Sequence, residues 1–184
     1  MKYDLNIINE KYKTEEKLNC FFFWGHQPQK DGKLGKSCLS QWWVQPFTVD
    51  GIVYKTAEHW MMAEKAKLFN DTDMFEKIIF TNSPKSAKSY GRKVKNFDDT
   101  TWKKNRYQIV REGNLHKFSQ HENLKNFLLS TGSSVLVEAS PYDKIWGIGL
   151  GQNTKGIEDP HTWKGLNLLG FVLMEVRDKL REND

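Results

Sequence analysis

Residues 56–69 read TAEHWMMAEKAKLF, and this stretch decides the fold class. Thr56 can cap a helix, because its hydroxyl can accept a hydrogen bond from a backbone N–H of the first turn. Apolar residues then recur at the helical spacing. On a helical wheel, Glu58 and Lys65 lie two turns apart in the middle of the apolar arc. The predicted solvent side carries His59, Ala63, Glu64 and Lys67.

The flanking sequence predicts further helices and a few short strands. Capping residues and glycines predict helices over 71–79, 83–91, 98–113, 122–130 and 168–180. Short apolar runs predict strands over 20–24, 43–47, 52–54 and 135–138, the middle two forming a hairpin around Asp50-Gly51. We therefore expect a mainly α fold with a few short β-strands. It forms a single compact domain over residues 20–184, after a loosely attached polar segment over residues 1–19.

Composition limits the class of protein. The chain has 184 residues, of which 38% are hydrophobic and 28% are charged, as in a globular domain. No apolar run approaches the ~18 residues of a membrane helix. Two cysteines make no disulfide framework, so we expect a cytoplasmic protein. No spacing suits a metal or a nucleotide cofactor, and we predict neither. The net charge of +5 is compatible with a phosphate-bearing ligand or with nucleic acid, although solvated helix faces also explain it.

Two groups of polar residues interrupt apolar surfaces of the predicted helices. Charges such as Glu58 and Lys65 are costly on a buried face unless they are paired or bind a ligand, so a structural ion pair is the alternative to a catalytic role. On the helix over 98–113, Arg106 shares a stripe with Trp102, and Lys117 continues it. The arginine either extends to water or holds a phosphate, and the tryptophan either fills the core or stacks on a base.

The loop after the predicted strand 135–138 is the third candidate. It contains Asp143 and Trp146 three residues apart, with Gly147 and Gly149 letting the backbone approach a ligand. A capping aspartate and a core tryptophan are the alternative reading. Carboxylates with aromatic walls suit cleavage of a glycosidic bond, because a carboxylate stabilises a ribosyl cation and an acid protonates the leaving nitrogen.

In these motifs and in others along the sequence, the chain resembles the NADAR, or YbiA-like, family. The resemblance covers nearly the whole chain from Phe21 to Leu180. Its carrying motifs are FWGH (23–26), LSQWW (39–43), TAEHWMMAEKA (56–66), GRKV (91–94), Trp102, Arg106, Lys117-Phe118, LVE (136–138), DKIWGIG (143–149) and WKGLNLLG (163–170). The loop over residues 26–40 is longer than in compact members of the family.

The resemblance implies a metal-independent N-glycosidase. The implied substrates are phosphoribosylamino-pyrimidine intermediates of riboflavin biosynthesis. One alternative is ADP-ribosylated guanine in DNA or RNA, and a second is a non-catalytic module that binds ADP-ribose or a nucleotide. The family's implicated residues match Glu58, Trp102, Asp143 and Trp146, and we add Lys65 as a catalytic residue that can form a Schiff base with the opened ribose. The expected substrate-binding set is Trp102, Trp146, Arg106, Lys117, Trp24, Gly25, Gly147 and Gly149.

Overall fold

A computed structural model describes residues 1–14 and 18–182 of the chain. The predicted polar segment over residues 1–19 includes residues 15–17, which lie outside the described residues. The chain forms two compact units. The central unit is Gln41–Glu122, and the terminal unit combines Met1–Ser40 with Asn123–Asp184.

The described elements confirm the mainly helical fold class with a few short strands. In chain order they are α1 (Leu5–Thr14), β1 (Cys20–Phe23), β2 (Phe47–Val49), β3 (Ile52–Tyr54), α2 (Ala57–Leu68), α3 (Thr72–Phe80), α4 (Pro84–Gly91), α5 (Asp99–Ser119), α6 (Glu122–Ser130), β4 (Val135–Glu138) and α7 (Leu168–Glu182), with short 3-10 helices at Lys36–Leu39 and Pro160–Thr162. None of the helices in the described ranges is long and apolar enough to cross a membrane.

Side-chain caps begin four helices of the central unit where the sequence predicts them. The Thr56 hydroxyl accepts a hydrogen bond from the backbone N–H of His59 at the start of α2. The equivalent caps of α3, α4 and α5 are Asp71, Ser83 and Asp98. Each cap satisfies one backbone N–H that the helix itself leaves without a partner.

The predicted hairpin also forms in the central unit. Strands β2 and β3 pair antiparallel, with Phe47 opposite Tyr54. The turn residues Asp50 and Gly51 have φ of 49° and 78°, as a tight two-residue turn requires. The first strand of the hairpin spans Phe47–Val49 and not the predicted 43–47, so the two ranges share only Phe47.

The predicted solvent side of α2 is wrong at two positions. His59 and Ala63 are both fully buried, at 0% exposure. The reason is that α2 contacts α3, α4 and α5, so little of its circumference remains for water. The imidazole of His59 lies 2.8 Å from the Thr56 hydroxyl and 3.1 Å from the carbonyl oxygen of Thr81, which fixes it between two elements.

Helix α5 runs past Gly113, where we expected it to end. A Cβ at Gly113 would lie 2.2 Å from Cδ1 of Trp60. The glycine is therefore required by the close approach of the Trp60 indole, whose Nε1 donates to the carbonyl oxygen of Ile109 at 2.7 Å. A glycine inside a helix costs about 1 kcal/mol relative to alanine, and this packing offsets that cost.

The terminal unit is built on a parallel pair of strands from distant parts of the chain. Strand β1 pairs with β4, with Cys20 opposite Val135 and Phe23 opposite Glu138. Helix α7 packs on β4 so closely that a Cβ at Gly170 would lie 2.0 Å from the carbonyl oxygen of Leu136.

The first residues of the chain are not loosely attached. Residues 5–14 form α1, and Ile8 is buried at 1% exposure. The Tyr12 ring lies edge-on to His161, and the Tyr3 hydroxyl donates to the Asp178 carboxylate at 2.7 Å. Polar composition concealed a helix that is anchored by one buried isoleucine and a few specific contacts.

Candidate active site

Glu58 lies in the first turn of α2 and is 2% exposed. Its backbone N–H donates to the carbonyl oxygen of Gln41 at 2.9 Å, which fixes the start of the helix. A carboxylate near a helix N-terminus is favoured by the helix dipole, whereas its burial is costly. The structure therefore buries this acid away from water, as its place in the middle of the apolar arc predicts.

Lys65 lies two turns further along α2, in an aromatic surrounding. Its Nζ donates to the carbonyl oxygen of Gly91 at 2.8 Å. The same atom lies 4.1 Å from the ring centroid of Phe97 and 5.6 Å from that of Trp102. Burial lowers the pKa of Lys65, and the positive charge of Arg92 lowers it further. A lowered pKa increases the fraction of neutral amine, which is the nucleophilic form.

Phe97 is a member of this site that sequence reasoning missed. It directly precedes Asp98, the residue that caps α5, and Trp102 is the fourth residue of that helix. Apolar residues at these two positions commonly pack together at a helix start as a hydrophobic staple. This spacing was readable in the sequence and would have placed Phe97 beside Trp102. Here both rings also lie near the Lys65 amine.

Arg106 follows Trp102 by one turn on α5 and is half-buried. Within residues 1–14 and 18–182, its guanidinium makes no hydrogen bond and no ion pair. An arginine in this state is available to an anion. Lys117 differs, because it is fully buried, with its Nζ 4.9 Å from the Phe118 ring centroid. Its role in substrate binding stays a prediction.

The loop after β4 lies in the terminal unit. Oδ1 of Asp143 accepts hydrogen bonds from the backbone N–H groups of Ile145 and Trp146, both at 2.8 Å. The carboxylate therefore caps the turn, which is the structural alternative to a catalytic role. Trp146 is half-buried, and its carbonyl oxygen accepts from the N–H of Leu169 at the start of α7. The catalytic role of Asp143 and the stacking role of Trp146 stay predictions.

Gly147 and Gly149 are glycines for two different structural reasons. A Cβ at Gly147 would lie 2.8 Å from the carbonyl oxygen of Glu138, so this glycine lets the loop pack on the protein's own backbone. Gly149 has a φ of 67°, in the left-handed region that favours glycine. Both are buried, and their expected contact with a ligand stays a prediction.

Trp24 and Gly25 follow β1 in the terminal unit. Trp24 is 49% exposed and lies outside the strand that we predicted to include it. Gly25 has a φ of 82°, which turns the chain away from the strand. The Trp24 ring borders a cavity of about 580 Å³, lined also by Pro141 and by residues 151–154.

The predicted site residues thus divide between the two units. In the central unit, Lys65 and Trp102 are in contact. In the terminal unit, Asp143 and Trp146 are joined by a hydrogen bond. Among the described residues, no three His, Cys, Asp or Glu side chains are grouped so that they could hold a metal ion.

Comparison with known proteins identifies the class to which this arrangement belongs. The model of the NADAR domain matches residues 22–181. The N-glycosidase R617 of Acanthamoeba polyphaga mimivirus is 49% identical over 153 residues, which cover 80% of this chain and 89% of the viral protein. N-glycosidase YbiA of Escherichia coli K12 is 35% identical over 135 residues, covering 73% of this chain and 76% of that protein. The NMR structure of the E. coli protein YbiA matches with a TM-score of 0.69 and 28% identity, covering 95% of this chain and 92% of that one.

The chain belongs to the NADAR family, as its motifs indicated. It is an N-glycosidase, the activity for which its viral and bacterial relatives are named.

Proposed function

We propose that this N-glycosidase cleaves the bond between C1′ of a phosphoribosyl group and an amine nitrogen. The proposed substrates are the phosphoribosylamino-pyrimidine intermediates of riboflavin biosynthesis. The observation that carries the proposal is the Lys65 amine, which has a lowered pKa and lies beside the rings of Phe97 and Trp102. Such rings can receive a flat pyrimidine by stacking while the amine reaches the sugar.

The proposed reaction uses the neutral amine of Lys65 as the nucleophile. Its Nζ forms a bond to C1′ as the bond from C1′ to the leaving nitrogen breaks, and an Nζ proton ends on the leaving amine. The ribose ring then opens to an imine between Nζ and C1′, with the ring oxygen taking up a proton. One water hydrolyses the imine, which releases the sugar aldehyde and returns the lysine.

Glu58 supplies negative charge in this scheme. Positive charge develops at C1′ as the glycosidic bond lengthens, and an ionised carboxylate stabilises it more in the transition state than in the ground state. The same carboxylate can instead polarise the attacking water. Burial strengthens either effect, because the surroundings of Glu58 contain little water to screen its charge.

Arg106 is the proposed phosphate ligand. It is half-buried and has no partner within the described chain. It lies one turn from Trp102 on the same helix, so a base on the indole and a phosphate on the guanidinium would be held side by side.

A second candidate substrate is ADP-ribosylated guanine in DNA or RNA. It is favoured by Arg92, an exposed cation near enough to Lys65 to lower its pKa. With Arg106, the central unit then offers two arginines for a diphosphate. The net charge of +5 also suits a nucleic-acid substrate.

One panel of assays tests both candidates. The protein is incubated with riboflavin-pathway intermediates and with guanine-ADP-ribosylated oligonucleotides, in the presence of EDTA, and release of base and sugar is measured. We expect turnover on the phosphoribosylamines without added metal. Turnover only on the oligonucleotide selects the second candidate, and activity that requires a divalent ion contradicts the metal-independent reaction. Binding of ADP-ribose without any turnover would support a binding module instead.

A further inference from the structure

The cavity beside Trp24 is lined by none of the residues used in the proposed reaction. All of its lining belongs to the terminal unit, and its volume of about 580 Å³ is in the range of small-molecule sites. One side is Trp24 and Pro141. The other is the turn over residues 151–154, closed by a hydrogen bond from the N–H of Thr154 to the carbonyl oxygen of Gly151 at 3.0 Å.

The apolar side of this cavity exposes an unusual amount of aromatic surface. Trp24 is 49% exposed and Tyr142, on the neighbouring loop, is 87% exposed. Their ring centroids lie 6.3 Å apart with the planes tilted by 52°. About half of the Trp24 side chain and most of the Tyr142 side chain are therefore open to a ligand. Exposed aromatic pairs of this kind provide faces on which a flat ring can stack.

The polar side of the cavity presents amide groups at the tip of the turn. Oε1 of Gln152 accepts a hydrogen bond from Nζ of Lys36 at 2.6 Å, which orients the side chain and leaves its NH₂ group as a donor. Asn153 is exposed, and its side chain makes no hydrogen bond within the described part of the chain. An amide carries a donor and an acceptor side by side, which matches the edge of a nucleobase.

We propose that this cavity binds a nucleobase, which stacks on Trp24 and is read along its edge by Gln152 and Asn153. The inference goes beyond the proposed function, because the lining of this cavity belongs to the terminal unit and includes none of the residues that have a role in the proposed reaction. A base in a mononucleotide and a base in a single strand share this chemistry, and the two sources are separated by the ligands used below.

Isothermal titration calorimetry on the 184-residue chain tests the proposal. The ligands are GMP, AMP, UMP, ribose 5-phosphate and an unmodified single-stranded DNA hexamer. The variants are Trp24→Ala and Asn153→Ala, and the matched control is Phe80→Ala, since Phe80 is 79% exposed at the end of α3 in the central unit. Circular dichroism checks the fold of each variant.

We expect at least one mononucleotide or the hexamer to bind wild-type protein. Its affinity should fall about tenfold or more in Trp24→Ala, by the usual scale of base stacking, and should not change in Phe80→Ala. Binding of mononucleotides identifies a small ligand, and binding of the hexamer alone identifies a strand. Asn153→Ala should change the ranking among the three bases, and it carries the test if Trp24→Ala is misfolded.

Two results would overturn the proposal. One is equal affinity of wild-type protein for ribose 5-phosphate and for every nucleotide, because the base would then contribute nothing. The other is unchanged binding in both Trp24→Ala and Asn153→Ala. Since these measurements need no turnover, nucleotide binding that depends on Trp24 in a protein without N-glycosidase activity would refute the proposed reaction and leave the base site standing.

Discussion

Replacing Glu58 by glutamine separates a catalytic carboxylate from a structural one. The side chain is 2% exposed in the first turn of α2, so an amide of the same shape keeps the packing and removes the charge. Loss of the favourable interaction with the helix dipole costs roughly 0.3–1 kcal/mol. In a protein of this size such a change lowers Tm by only a few degrees.

The effect on the reaction should be much larger. If the carboxylate stabilises the developing ribosyl cation, Glu58→Gln removes an interaction that is strongest in the transition state. Loss of one such electrostatic group typically costs about a hundredfold in rate, or about 2.7 kcal/mol. Substrate affinity should change far less, because the ground-state sugar carries little positive charge.

Glu64→Gln is the matched control on the same helix. Glu64 forms a 2.7 Å ion pair with Lys67 at the surface, and such pairs contribute little to stability. Single-turnover kinetics and thermal melting are measured on the same samples of both variants. Near-wild-type turnover per folded molecule in Glu58→Gln, together with a large fall in Tm, would refute the catalytic assignment and leave Glu58 a structural residue.

Three further predictions follow from the site and its surroundings. Sodium borohydride with substrate should add the mass of the reduced sugar to wild-type protein and not to Lys65→Arg, and an adduct that persists in the variant would exclude Lys65. Trp102→Ala and Trp146→Ala should each weaken ligand binding by about 1–3 kcal/mol, the scale of base stacking, whereas unchanged affinity in folded variants would assign both rings to the core. Burial lowers the pKa of His59 to about 4, so the folded protein keeps this imidazole neutral while the unfolded chain protonates near its ordinary 6.5. Stability should therefore fall as the pH drops from about 6.5 towards 4, by roughly 2–3 kcal/mol at most, and His59→Gln should lose that part of the pH dependence in urea titrations.

Local signals in the sequence predicted local structure well. Thr56, Asp71, Ser83 and Asp98 each cap a helix where predicted, because a cap depends on residues within one turn of it. The Asp50-Gly51 turn formed for the same reason. Its strands were less well placed, since strand ends depend on what the strand pairs with.

What the sequence could not supply was the surroundings of each element. The helical wheel placed His59 on the solvent side of α2, whereas this residue is buried. The sequence of α2 does not reveal that three other helices pack on it. Gly113 read as a helix stop, and only the Trp60 indole explains why a glycine lies inside α5. The parallel pairing of Cys20 with Val135 joins residues that no local pattern connects.

The candidate site shows the same limit. Glu58 was found because a charge in an apolar arc is visible in the sequence, and its burial agrees. Asp143 was predicted because a tryptophan and two glycines follow it in the sequence. The structure adds that its carboxylate accepts two hydrogen bonds from the loop backbone. Composition alone does not distinguish such a carboxylate from one that is free to react. The exposure of Trp24 and Tyr142 depends on how the loops that follow β1 and β4 turn. Hydrophobic periodicity in the sequence carries no information about the path of a loop.

The pairing of β1 with β4 also sets an order of events during synthesis on the ribosome. The central unit contains every one of its residues once position 122 has emerged, whereas β1 must wait for β4, whose first residue is Val135, and for α7 beyond it. Over that interval the aromatic strand Cys20–Phe23 has not yet met its native neighbour. Long-range parallel pairing of this kind is slow and leaves apolar strands exposed to other chains. A nascent chain stalled when residue 122 has just left the ribosome should therefore bind chaperones through its first strand, at a stage when every residue of the central unit is available to fold.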